Sequence, residues 1–284
     1  MGNGIAGLDH VIVGVRDLER ARTGWSRLGF TLSPRGRHLG QGTANYCIMV
    51  AADYIELLGI VDPTDFVQRL DAFLARREGL MAAAFAPAGT AAAARSALLD
   101  RQLHPSEPRP LGRRLELPEE TVTPRFSLVT LPPEETPGLD CFLCGHLTPE
   151  LMRRPEWLVH PNGAAGLKGL HILVESTAAL LPAYRRLFGL AQVTTTNAVV
   201  SIQVRRHRML FSTRDDLLAM HPALDPDPGF PLPGIVALEL GIERRERTLD
   251  YLTRQQIPFD EMPGGTLAVP AGEANGATLF FSPG

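Results

Sequence analysis

Apolar side chains recur at every second position, then at every third or fourth, then at every second again along the first sixty residues. Val11, Val13 and Val15 alternate with Leu8, His10, Ile12 and Gly14, the period of a strand with two distinct faces. Asp17 supplies a helix N-cap. After it Leu18, Ala21, Trp25 and Leu28 fall on one side, Glu19, Arg20, Arg22 and Arg27 fall elsewhere, and Gly29 is the stop. From Phe30 to Ile60 the chain reads as two or three further strands punctuated by Pro34, Gly36, Gly40 and Gly42. In the last of these Tyr54, Glu56 and Leu58 share one face, so Glu56 is a charged exception on an apolar strand, as His10 is on the first.

The same order recurs. Leu80 to Pro87 is an apolar run followed by a helical segment from Thr90 to Leu103. Arg114-Leu-Glu-Leu and Arg125-Phe-Ser-Leu-Val-Thr-Leu then read as antiparallel strands, and Cys141-Phe-Leu-Cys-Gly-His146 closes the unit. Strand parity puts Phe142, Cys144 and His146 on one face of that segment and Cys141 and Leu143 on the other. Prolines and glycines break residues 148–165. Leu167 then opens a third unit and Ile235 a fourth, each strand, helix, strands. Opening strands near Leu8, Met81, Lys168 and Ile235 predict four β-α-β-β-β modules in an α+β fold. The modules pair into halves spanning 1–160 and 161–284, with a connector helix over 64–79 whose apolar stripe is Phe66, Leu70, Phe73 and Leu74.

With this order, the segments "LDHVIVGVRDLERA", "RLGF" and "DYIELL" resemble the vicinal oxygen chelate superfamily, which includes glyoxalase I, fosfomycin- and bleomycin-resistance proteins and extradiol dioxygenases. "RGRHLGQGTANY", "FLCGHLTPE" and "WLVHPNGA" are similar to its glyoxalase-like branch. The resemblance implies paired modules curled into incomplete barrels around a cleft, with metal ligands on first and last strands.

Under that resemblance His10 takes the first-strand histidine position and Glu56 the last-strand acid position. The opening Leu80-Met-Ala-Ala-Ala-Phe of the second module lacks the matching ligand, and its closing strand offers His146 instead. The expected metal set is therefore His10, Glu56 and His146, two imidazoles and a carboxylate suited to a divalent Zn, Ni, Mn or Fe ion. His38 is either a surface hairpin residue, a cleft-lining catalytic acid or base, or a substitute ligand, and Glu56 is expected to take part in catalysis as well as in metal binding. Gln41 and Asn45 are expected to orient substrate oxygens, Arg35 and Arg37 to hold an anionic group, and His160 to reach the cleft from the linker. No acid matches Glu56 in Thr278-Leu-Phe-Phe-Ser or Arg208-Met-Leu-Phe-Ser, so the second half is read as lacking a metal site. A structural zinc site at Cys141 and Cys144 is disfavoured, because a strand points the two sulfurs apart.

Composition narrows the classes of function. A formal charge of −3 gives no broad electrostatic case for nucleic acid or an anionic membrane, and no apolar run is long enough to span a bilayer. Three cysteines make no disulfide framework and suit a reduced, cytoplasmic protein. The expected partner is a small oxygenated substrate, and a homodimer is compatible with the reading without being required. The leading expectation is a metal-dependent lyase, isomerase or dioxygenase acting by bidentate chelation. The alternative is a non-catalytic protein that sequesters a drug or other small molecule in the same cleft.

Overall fold

The computed structural model describes residues 2–196, 199–222, 224 and 226–283. It contains four strand-helix-strands modules in chain order. The first runs β1 (Ile5–Gly14), α1 (Leu18–Arg27), β2 (Gly36–His38), β3 (Thr43–Val50) and β4 (Asp53–Ile60). A short helix α2 (Leu70–Arg76) leads to the second: β5 (Gly79–Pro87), α3 (Ala91–Leu99), β6 (Arg109–Glu116), β7 (Thr121–Val122), β8 (Arg125–Thr130) and β9 (Cys141–His146). The third is β10 (Ala164–Leu173), α4 (Leu180–Phe188), β11 (Val193–Thr196), β12 (Val199–Val204) and β13 (His207–Ser212). After α5 (Arg214–Met220) comes the fourth: β14 (Gly234–Ile242), α6 (Arg245–Arg254), β15 (Asp260–Glu261), β16 (Leu267–Val269) and β17 (Thr278–Pro283).

Local chemistry sets the element ends. The Asp17 carboxylate accepts from the backbone N–H groups of Glu19 and Arg20 at the start of α1, and the Thr90 hydroxyl accepts from Ala93 at the start of α3. The connector helix is shorter than its apolar stripe predicts and begins at Leu70. Gln68 and Arg69 stand at φ +53° and +65°, outside the helical region, and the Asp62 carboxylate ties down the Thr64 backbone N–H, leaving Phe66 exposed.

The first two modules form one nine-stranded sheet, order β2-β3-β4-β1-β5-β9-β8-β6-β7. An added pairing of β2 with β6 curls this sheet into a partial barrel. The last two form an eight-stranded sheet, order β11-β12-β13-β10-β14-β17-β16-β15. The sheets divide the chain between His146 and Ala164, in the proline-broken segment.

Parity along each strand decides what faces where. Val11, Val13, Ile55 and Leu57 point out of the first cup into a core that also holds Leu170, Ile172, Phe211 and Phe281 of the second sheet. The two halves therefore share one apolar core. Fully buried Trp25 lies within it, and truncating such a side chain to alanine costs about 3–5 kcal/mol. The opposite parity, with His10, Ile12, Tyr54, Glu56, Phe142 and Cys144, lines the interior of the first cup. Cys141 and Cys144 pack into different apolar clusters, as strand parity requires.

The module repeat extends to backbone detail. β1 departs from its pairing with β5 at three places, Ile5/Gly7, Leu8/His10 and Ile12/Val13, and β10 departs from β14 at the matching Ala164/Gly166, Leu167/Gly169 and His171/Ile172. By this correspondence Gly169 occupies the place of His10. Leu210, which pairs with His171 as Glu56 pairs with Ile12, occupies the place of Glu56. His171 packs instead against His221 and Phe280. No helix among the described residues is long and apolar enough to cross a membrane.

Candidate functional site

His10, His38 and Glu56 meet inside the first cup. β1 and β4 run parallel with Ile12 opposite Glu56, which brings His10 on the same face of β1 to the Glu56 carboxylate: Nε2 lies 3.5 Å from Oε2. β2 crosses the open side of the cup and sets His38 Nε2 3.6 Å from Glu56 Oε1. Both spacings are too long for hydrogen bonds. All three side chains are buried.

The other nitrogen of each ring is committed. His10 Nδ1 lies 2.7 Å from Asp9 Oδ2, and an ionised carboxylate only accepts, so the proton is on Nδ1. His38 Nδ1 lies 2.9 Å from the Thr43 hydroxyl, which itself points toward Gln41 Oε1 at 3.4 Å and so accepts from the imidazole. Burial pushes His38 down to about 4, partly offset by the Glu56 charge, so the ring is neutral. His38 Nε2 then carries a bare lone pair toward the carboxylate, and His10 Nε2 faces it from the other side.

The charges of the acids are supported. Burial opposes ionisation of Glu56, but the Arg113 charge and a 2.5 Å hydrogen bond from Asn45 Nδ2 favour it, and its carboxyl lies below the usual range. Burial likewise opposes the Asp9 charge, and the hydrogen bonds from His10 and His146 more than offset it. Tyr54 stacks on the His10 ring at 4.3 Å, and Phe142 meets it edge-on at 5.8 Å. Leu58, Leu111, Phe126, Leu128 and Arg113 complete the lining. The space open to a water centre is about 30 Å³, room for an ion and a water.

Several expectations are relocated. His146 Nε2 lies 3.1 Å from Asp9 Oδ2, so the structure sets it against Asp9 and leaves His38 beside Glu56. Asp9, His146 and the Cys144 sulfur have ligand atoms within 4.8 Å of one another, on a face lined also by Thr90, Ser127 and Arg153. Asn45 is in the cup on Glu56. Gln41 stands one step out, bonded to Gln68, which lines the cavity.

Arg35 reaches Glu19 at 3.8 Å and Arg37 is exposed; neither lines the cavity, whose arginine is Arg113. His160 does not line the cavity. Its Nδ1 accepts from the Thr31 backbone N–H at 3.0 Å and its Nε2 lies 2.9 Å from the Met49 carbonyl, which ties the linker to the first half.

Sequence reading missed Asp9 and Arg113. Asp9 occupies the bulge between Leu8 and His10, which turns an out-of-phase side chain back toward its neighbour. Arg113 comes inward on β6, whose charged letters resemble a solvated strand.

No curated protein matches the chain in sequence. Among solved structures, a hypothetical protein from Staphylococcus aureus superposes at a TM-score of 0.68 with 11% identity, covering 97% of this chain and 98% of that one. A mutant 4-hydroxymandelate synthase from Streptomyces coelicolor gives 0.58 with 10% identity over 98% and 92%. The 2,3-dioxygenase LapB from Pseudomonas sp. KL28 gives 0.57 with 13% identity over 99% and 93%. These likenesses are of fold. A family model described as a glyoxalase-like domain matches residues 8–188, from the first strand through the first helix of the second half. The chain thus belongs to the glyoxalase-like domain family, within the vicinal oxygen chelate superfamily.

Proposed function

We propose that the protein is a divalent-metal-dependent enzyme whose ion is held by His10, His38 and Glu56 in the first cup. The observation that carries this reading is the pair of buried imidazoles whose Nε2 atoms face one buried carboxylate at 3.5 and 3.6 Å, beyond hydrogen-bond distance. Lone pairs facing an anion repel, and a cation among them turns that repulsion into ligation. Ligands at about 2.0–2.2 Å from one ion stand roughly this far apart. The two imidazoles approach different Glu56 oxygens, however, and among the described residues only Asp9, Cys144 and His146 bring three ligand atoms within 4.8 Å of one another, so an ion in the first cup requires His10, His38 and Glu56 to draw together. The donor set suits Zn, Ni, Mn and Fe alike.

A bound ion would supply Lewis acidity to two neighbouring oxygens of a substrate and stabilise an enolate or alkoxide. The chain's own residues fix the geometry. Asp9 holds the tautomer and orientation of His10, Thr43 does so for His38, and Asn45 holds Glu56. Tyr54 and Phe142 flank His10 and exclude water from it. Two imidazoles and a carboxylate leave coordination positions open, which suits lyase, isomerase and dioxygenase chemistry equally.

The Asp9, Cys144 and His146 cluster is the competing position for an ion. Its disadvantage is that Asp9 Oδ2 already takes two imidazoles, at 2.7 and 3.1 Å, and burial holds the Cys144 thiol protonated. Parallel His38→Gln and His146→Gln variants test the choice. Under this proposal His38→Gln loses zinc binding at least tenfold, and His146→Gln loses less because it acts only through Asp9. A reversed order selects the competing cluster.

A further inference from the structure

Arg113 is a buried cation that no carboxylate touches among the described residues. It is 2% exposed, stands opposite His38 in the pairing of β6 with β2, and lines the cavity with His10, His38 and Glu56. One terminal nitrogen lies 2.9 Å from Cys47 Sγ and the other meets Met152 Sδ, while the guanidinium sits 5.8 Å from the Phe126 ring centre. Burial pushes the Cys47 thiol up to about 11, so this sulfur is neutral. Nε has no partner, and among the described residues no carboxylate lies within 4 Å of the guanidinium. A buried charge normally has an ionic or oxygen partner.

The site is also built around this arginine. A Cβ at Gly36 would stand 2.6 Å from Arg113 Cδ and 2.4 Å from Asn45 Oδ1, so only glycine lets both side chains pass beside β2. Asn45 Oδ1 is itself buried and unpartnered. Asp9 and Glu56, the two acids beside His10, match the charge of one divalent ion, which leaves the arginine as an added charge in a cavity lined by leucine and phenylalanine.

We infer that Arg113 anchors a carboxylate carried by the substrate, so that the substrate class is small carboxylic acids with a neighbouring hydroxyl or carbonyl oxygen. The planar fork of a guanidinium matches a carboxylate through two parallel N–H donors. The neighbouring oxygen is the one presented to the ion, and for that part the inference rests on the metal reading above. The contact between carboxylate and Arg113 does not require the ion.

Formate, the smallest carboxylate, tests it, with formamide as the uncharged control and chloride holding ionic strength constant. Binding is followed by calorimetry and by melting temperature, on metal-free and zinc-loaded protein, for wild type, Arg113→Lys and Arg113→Met. The methionine variant replaces an unpaired buried charge with an apolar chain among Cys47, Met152 and Phe126, and circular dichroism checks its fold. The expected result is that formate binds wild type and formamide does not, that Arg113→Met binds formate at least tenfold more weakly, and that Arg113→Lys is intermediate. Equal formate binding by wild type and Arg113→Met, no formate binding by wild type, or an equal response to formamide overturns the inference. Zinc dialysis of wild type and Glu56→Gln runs alongside. Equal zinc retention there sinks the metal reading alone, while formate binding to the metal-free protein still decides the role of Arg113.

Discussion

His10 and Asp9 are sequence neighbours whose side chains meet at 2.7 Å inside the first cup, although regular strand parity would send them to opposite faces. The bulge between Leu8 and His10 makes the contact, and the contact sets the tautomer of His10. Asp9→Asn keeps the shape but not the obligate acceptor, so the ring is free to turn or to move its proton. Zinc affinity, measured by competition with a chelator, is expected to fall about 10–100-fold, as for other carboxylates that orient a ligating histidine. An unchanged affinity would show that Asp9 does not act through His10.

Much of this was legible in the letters, for physical reasons. Period-two runs followed by a helix-period segment recur wherever a module begins, with Asp17 and Thr90 capping the first two helices and Gly29 and Gly189 following the first and third, so the four-module fold and the inward parity of His10, Glu56 and Cys144 follow from the sequence. A bulge or a sheet closure leaves no such periodicity. Asp9 turns inward only because of its bulge, and His38 meets Glu56 only because β2 pairs with β6 across the open side of the barrel. The loop that reads as a hairpin carried no signal of that closure. His160 looked available because nothing in His-Pro-Asn-Gly shows that both ring nitrogens are taken by distant backbone groups.

Asp53 joins the two halves. It is 1% exposed, with Oδ1 2.6 Å from Arg206 and Oδ2 3.1 Å from His207, whose Nδ1 accepts from the Leu8 backbone N–H. Asp53→Ala leaves that cluster without its acceptor, and because Arg206 is half exposed and stays hydrated the expected loss of stability in urea unfolding is about 1–3 kcal/mol. Because both halves share one core, unfolding should remain a single transition; two resolved transitions would contradict the shared core.

Acid should destabilise the protein earlier than its carboxylates alone would. Burial pushes His38 down to about 4 and His171 to about 3, from 6.5 in an unfolded chain, so between 6.5 and these values the unfolded state takes up protons that the folded state refuses. Stability is therefore full above pH 6.5 and declines as pH falls. The depressed Asp9 and Glu56 carboxyls add a second loss below about pH 4. Urea midpoints at pH 7, 5.5 and 4 should fall in that order, and His171→Gln should flatten the slope. An equal slope in that variant would remove His171 from the account.

The central claim is tested most directly by metal content after equilibrium dialysis of wild type, Glu56→Gln and His171→Gln. Glu56→Gln removes the anionic ligand while nearly preserving shape, and His171 lies on the second sheet, where the positions of His10 and Glu56 are taken by Gly169 and Leu210. Wild type and His171→Gln should each retain one divalent ion per chain, and Glu56→Gln should bind at least tenfold more weakly while still melting as a folded protein. Equal metal retention by wild type and Glu56→Gln, or a metal-free wild type, would contradict the assignment.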